Sequence, residues 1–159
     1  MGMIEKVLPS EANNNYQGHK IALYGLILMT GLMTWRSCIH LFFAEYGMHS
    51  IAHFVVFEGV PDPNLVNYLF FSLWGLQQLL FCLINSIILF RYRNLIPLMF
   101  VLWLLEWSLR PLLVGNLHPL GEQYFTGTTP GIIGTPYVVI FLIVMLILSL
   151  TSFKTTSIG

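Results

Sequence analysis

Ile96–Val114 reads IPLMFVLWLLEWSLRPLLV. A helix crosses the hydrocarbon of a bilayer in about 20 predominantly apolar residues, and this stretch meets that demand. Pro97 sits where a helix begins, at a position whose backbone N–H has no partner in any case. The span nevertheless carries Glu106, Arg110 one helical turn later, and then Pro111. A charge facing lipid at mid-span costs about 2.5–3.5 kcal/mol on insertion scales, so both groups are expected to turn inward and be satisfied there. Pro111 has no N–H to offer the carbonyl of Trp107, which predicts a free acceptor and a kink beside the pair.

The rest of the chain fits a membrane protein. Of 159 residues, 56% are hydrophobic and 9% charged, with a mean hydropathy of +0.75. A soluble domain carries about a quarter charged residues. Seven basic and seven acidic side chains cancel, which leaves no field to attract nucleic acid and no basic cluster for strong binding to anionic lipid. The expected partners are the bilayer itself and other membrane subunits or further copies of the chain. Residues 1–19 are polar and Asn-rich and lack the basic, apolar and small-residue pattern of a signal peptide. They read as a flexible cytoplasmic tail in which MIEKVL can form a short surface helix, and the first hydrophobic segment is expected to be retained.

Three more segments have the length and composition of spans: 20–43, 66–90 and 136–153, the last taken to start at Pro136. With 96–114 they predict an all-α, integral membrane four-helix bundle as one domain over 20–153, followed by a short tail, 154–159. Basic residues mark the cytoplasmic side. Lys6, Lys20, Arg91, Arg93 and Lys154 all fall on one side, whereas loops 44–65 and 115–135 contain no Lys or Arg. Both termini are therefore expected in the cytoplasm, the membrane being a bacterial inner membrane. The two outer loops are long enough to hold structure: GMHSIAHFVVFEGV suits a short interfacial helix, and NLHPLGEQYFTGTTPGIIGT is turn-forming.

Polar side chains recur at matched depth. At 1.5 Å per residue, Arg36 lies roughly 24 Å above Lys20 and Arg110 roughly 21 Å above Ile96. Gln77 and Gln78 fall about 17 Å below the outer end of the second span. Residues four apart share a helix face, which groups Arg36 with His40, Glu106 with Arg110, and Gln78 with Cys82 and Asn85. The candidate cluster is therefore Arg36, His40, Gln77, Gln78, Glu106 and Arg110, with Glu106 expected to pair with Arg110 and across to Arg36. Such groups either hold helices in register or line a pocket open to the outer side, in which the arginines hold a carboxylate, a phosphate or a quinone-like carbonyl.

Other motifs carry less. His49 and His53 in HSIAH can present two imidazoles from one helical face to a metal, with Glu45, Glu58 or His118 to complete a site. No cofactor is required by the sequence, and bis-histidine haem ligation would need a second deep histidine beside His40. Cys38 and Cys82 lie at different depths, too far apart for a disulfide. Trp35, Trp74, Trp103 and Trp107 read as core and interface aromatics. The fourth span, with no charge along YVVIFLIVMLILSL, suits a surface facing lipid or a partner.

Trp35-Arg36 with His40, Gly75 with Gln78, FRYRNLIPLMF, LLEWSLRPLL and TTPGIIG resemble a group of uncharacterised small bacterial four-helix membrane proteins, and more distantly DoxX-like and DUF4345-like bundles. The likeness covers roughly residues 20–150 and implies a bundle with its polar residues inside. DoxX-like proteins are tied to quinone-linked redox chemistry, but no residue match here carries that chemistry over.

Three functions compete at this level. The first is an accessory or assembly subunit of a larger membrane complex, packing through the fourth span. The second is a bundle binding an anionic, lipid or quinone-like ligand in an outer-leaflet polar pocket. The third is a membrane enzyme with Glu106 as acid/base and His40 nearby.

Overall fold

The structure, a computed structural model, describes residues 2–151. Its helices are α1 (Met3–Val7), α2 (Lys20–Phe42), α3 (Asn64–Arg91), α4 (Ile96–Leu109), α5 (Gly115–Leu117) and α6 (Pro130–Leu150). A π-helical segment, Arg110–Val114, joins α4 to α5, so the third span is continuous over Arg93–Leu117. Among the described residues, four helices are long and apolar enough to cross a membrane, as expected of an integral membrane protein.

The apolar core fills one half of the molecule. Leu26, Met29 and Met33 of α2, Cys82 and Ile88 of α3, Ile96, Met99, Phe100 and Trp103 of α4, and Leu142 and Met145 of α6 are buried together. Within it Trp103 Nε1 donates to Asn85 Oδ1 at 3.2 Å, which satisfies two polar groups where no water reaches them. In the other half α2 packs against α3. They cross closely at Gly75, where a Cβ would lie 2.7 Å from both His40 Cβ and the Leu41 nitrogen. Beyond Trp107 the third span has no buried residue, and neither has α6 before Leu142.

Two helix ends differ from the sequence expectation. The fourth long helix starts at Pro130, with Thr129 as its N-cap residue, and holds Pro136 inside it. Thr135 Oγ1 donates to Gly131 O at 2.7 Å within that first stretch. At Pro111 the chain takes up the missing N–H in the π-helical segment Arg110–Val114, a wider turn that often marks a distorted, functional part of a helix. Residues 152–159, which include Lys154 and the expected end of the fourth span, lie outside the described ones.

The leader, read above as a flexible tail with a short helix over MIEKVL, has that helix at Met3–Val7 and is tied across one end of the helices. Asn13 and Asn94 exchange hydrogen bonds, Asn13 N to Asn94 Oδ1 at 2.8 Å and Asn94 N to Asn13 O at 3.2 Å, and Asn94 Nδ2 donates to Glu11 O at 2.7 Å. Lys6 Nζ donates to Leu150 O at 2.8 Å, and His19 N to Leu148 O at 3.0 Å. Exposed carbonyls and amides at the α3–α4 link and the end of α6 thus find their partners in the leader. Tyr16 is part of this layer: its phenol donates to His19 O at 3.1 Å, and burial raises its pKa above the ordinary tyrosine value.

At the opposite end the two loops hold each other. Phe54 and Phe125 form an isolated antiparallel bridge, with Val55 N donating to Tyr124 O at 3.1 Å and Thr126 N to His53 O at 2.7 Å. Thr129 Oγ1 donates to Ala52 O at 2.7 Å.

Candidate functional site

The polar residues meet at the edge of the apolar core, where buried Trp107 belongs to both. Glu106 and Arg110 form an ion pair along the third span, Glu106 Oε1 accepting from Arg110 Nε at 2.7 Å and also from Nη2. Gln78 is buried on α3. With its carbonyl toward the guanidinium groups, it accepts from Arg110 Nη2 at 2.5 Å and from Arg36 Nη1 at 3.3 Å. One amide oxygen therefore bridges two arginines contributed by two helices.

Two tryptophans complete the arrangement. The Arg36 guanidinium carbon stands 4.8 Å from the Trp74 ring and 5.9 Å from that of Trp107. For Arg110 the corresponding distances are 5.0 and 4.7 Å. Ring faces attract cations most strongly where water is excluded, so the rings hold the like-charged arginines near one another. His40 stacks on Trp74 at 4.9 Å and on Phe71 at 4.2 Å. Sequence reading made the four tryptophans core and interface aromatics: Trp103 and Trp107 are buried in the core, Trp35 and Trp74 are exposed, and what it missed is that Trp74 and Trp107 also face the arginines. The spacing from Trp74 to Gln78 and from Trp107 to Arg110 was the available signal, since residues three or four apart share a face.

The geometry brings together Arg36, His40, Gln78, Glu106 and Arg110. It leaves Gln77 out, because adjacent residues on a helix point about 100° apart and Gln77 is exposed. The expected pairing of Glu106 with Arg36 is also replaced: Glu106 is held by its own helix, and Arg36 rests on Gln78 and the indoles.

Three buried polar atoms of this cluster have no partner among the described residues: His40 Nδ1, Glu106 Oε2 and Trp107 Nε1. Buried polar groups are nearly always paired. At the same time the ion pair is open on one side, the Glu106 side chain being 32% and Arg110 23% exposed. The site has unused acceptor and donor capacity and a way in.

The histidine pair of the loop between α2 and α3 is not a two-ligand face. The π-helical turn Tyr46–Ile51 ends before His53, whose φ of 58° turns the chain away. His49 uses both ring nitrogens, with Nδ1 2.9 Å from Phe54 O and Nε2 2.7 Å from the Tyr68 hydroxyl. Among the described residues, no group of three or more His, Cys, Asp or Glu side chains is placed to hold a metal. Cys38 and Cys82 are both free thiols.

A cavity of about 490 Å³ lies at the other end, under the leader, lined among others by Lys6, Asn13, Tyr16, Asn94 and Ser149. Lys6 is already committed to Leu150 O, and none of the unpartnered buried atoms faces this space. The arginine cluster is the stronger candidate.

Family models, curated proteins and solved structures give no match. The resemblance read from the motifs therefore gains nothing from them, and the chemistry of the cluster carries the functional argument.

Proposed function

We propose that the chain is a four-helix binding module of a bacterial inner membrane, with cytoplasmic termini, that holds an anionic or carbonyl-bearing ligand in its outer half. The observation that carries this reading is the convergence of two arginines, two indoles and three unpartnered buried atoms at a place open from one side. Arg36, Arg110 and Glu106 sum to one excess positive charge when His40 is neutral. An uncompensated charge at that depth is costly, and an acceptor-rich anionic group would both neutralise it and take the free donors. Orientation rests on the basic residues Lys6, Lys20, Arg91 and Arg93, which lie on the leader's end of the helices.

Native mass spectrometry of the protein extracted gently from its own membrane tests the proposal. The expected result is a defined small-molecule mass that is lost in Arg36→Met and in Trp107→Phe. A bundle that carries no such mass in the wild type counts against ligand binding.

The accessory-subunit reading keeps one specific support. The helix α6 is the least buried of the four spans, and Tyr137, Ile140, Val144 and Ile147 are exposed along it. A larger assembly co-migrating with the chain, and lost on polar substitution along that face, would favour this second role. Nothing in the geometry singles out a bond for Glu106 to make or break, so the enzyme reading is not carried further.

A further inference from the structure

We infer that the ligand of the arginine cluster is a phosphate monoester carried on an apolar chain, entering sideways from the membrane. The inference rests on the binding role proposed above and specifies its ligand.

The donors and acceptors left free in the cluster select the headgroup. Arg36 donates through Nη1 to Gln78, and its Nε and Nη2 hydrogens have no protein acceptor among the described residues. Trp107 Nε1 can only donate, and the ring is 94% buried, its exposure being 6%. His40 Nδ1 donates in one of its two neutral tautomers. A ligand must therefore bring several acceptors to one point. Glu106 Oε2 demands the opposite: it is a buried acceptor and requires a donor. A carboxylate ligand supplies acceptors but no donor, and would set a second carboxylate beside Glu106. A phosphodiester likewise has no hydrogen to give. A singly protonated phosphate monoester has two unprotonated terminal oxygens to accept and one P–OH to donate, and its single negative charge equals the excess charge of the cluster.

Access to the cluster selects the membrane as the source. Buried residues stop at Trp107 on the third span and do not resume on α6 until Leu142, so the cluster is walled by α2 and α3 on one side and open on the other. Arg36 lies six residues before Phe42 and Arg110 seven before Leu117, which places both roughly 9–10 Å inside the outer helix ends. Leu105, Leu109 and Leu112, all exposed, flank Glu106 and Arg110 on the third span. An apolar chain can lie along these leucines while its terminal phosphate sits between the arginines. Water-borne phosphate would have to leave its hydration shell to reach that depth with nothing apolar in return.

The test offers the full-length protein, reconstituted in phosphocholine nanodiscs, three probes in turn: a phosphomonoester lipid, a phosphoethanol diester lipid with the same acyl chains, and inorganic phosphate. Retention is read by native mass spectrometry. The monoester is expected to be retained about tenfold over the diester, the factor that one hydrogen bond to a charged group confers. Inorganic phosphate should neither bind nor displace it. Trp107→Phe, which removes the indole N–H and keeps an aromatic face toward the arginines, should lower monoester retention, as should Arg36→Met. Equal retention of monoester and diester overturns the headgroup assignment and leaves the binding role standing. Displacement by inorganic phosphate overturns the membrane as the source. If no adduct of any kind is lost in Trp107→Phe or Arg36→Met, both the headgroup and the binding role fall.

Discussion

At the scale of single residues, Gly75 decides how close α2 and α3 can come, and hence whether Arg36 reaches Gln78. A Cβ at this position would stand 2.7 Å from His40 Cβ and from the Leu41 nitrogen, and backbone cannot step aside as a flexible side chain does. Gly75→Ala is therefore expected to lower stability by about 1–3 kcal/mol, the usual range for overpacking, measured by thermal unfolding in micelles. Its effect should exceed that of Gly31→Ala on α2, where an added methyl meets nothing within 4 Å. Equal effects would mean that helix propensity, not the crossing, controls the site. Counting along the helices grouped Arg36, Gln78, Glu106 and Arg110, and the structure brings these four side chains together. What could not be read was rotation about each helix axis. Gln77 and Gln78 are equivalent in a count of residues, and only the packing of α3 on α2 at Gly75 buries one and exposes its neighbour.

At the scale of elements, sequence reading succeeded where a span has a clear composition and failed where proline punctuates it. Pro136 suits a helix start in the sequence, but Pro130 suits it equally, and the choice is made by Thr129. Its hydroxyl donates across to Ala52 O at 2.7 Å, while its carbonyl accepts from Ile132 N at 3.0 Å. The start of α6 is thereby fixed by a loop more than seventy residues earlier, a contact that no local pattern announces. Thr129→Val keeps the shape and removes this bond, at a cost of about 0.5–1.5 kcal/mol. The expected consequence is local: faster amide hydrogen exchange at Val55 and Thr126, which pair across the same clamp, with the inner core around Trp103 unchanged. Uniformly faster exchange would show instead that the clamp holds the whole molecule. The cluster stands on neither kind of end. It is built on the interiors of α2 and α3 and on the third span where Pro111 turns α-helix into π-helix, so that Arg110 is the first residue of the altered turn.

At the scale of the whole molecule, the two ends are chemically unlike. The leader, the link between α3 and α4 and the end of α6 share one end, joined through Asn13, Asn94, Lys6 and Leu150. All of Lys6, Lys20, Arg91 and Arg93 lie there. The other end, where Phe54 meets Phe125, is built from loops without a single Lys or Arg. Positive residues are held back on the cytoplasmic side during insertion, so this asymmetry fixes an expected orientation and, with it, the leaflet from which the arginine cluster is entered. Single cysteines placed at Ser10 and at Glu58, both exposed, in a background with Cys38 and Cys82 replaced by serine or alanine, make this measurable. In intact cells a membrane-impermeant maleimide is expected to label Glu58→Cys and to spare Ser10→Cys until the membrane is opened. The reverse pattern would turn the bundle over and put the cluster in the cytoplasmic leaflet, and the search for its ligand would then move to the lipids of that side. Adding arginines to the loop that holds Glu58 should weaken the preference stepwise, because orientation follows the distribution of positive charge rather than any fold of the loops. A bundle that kept its orientation under that load would owe it to the leader strapped across its inner end, and removal of residues 3–13 would then be the change that releases it.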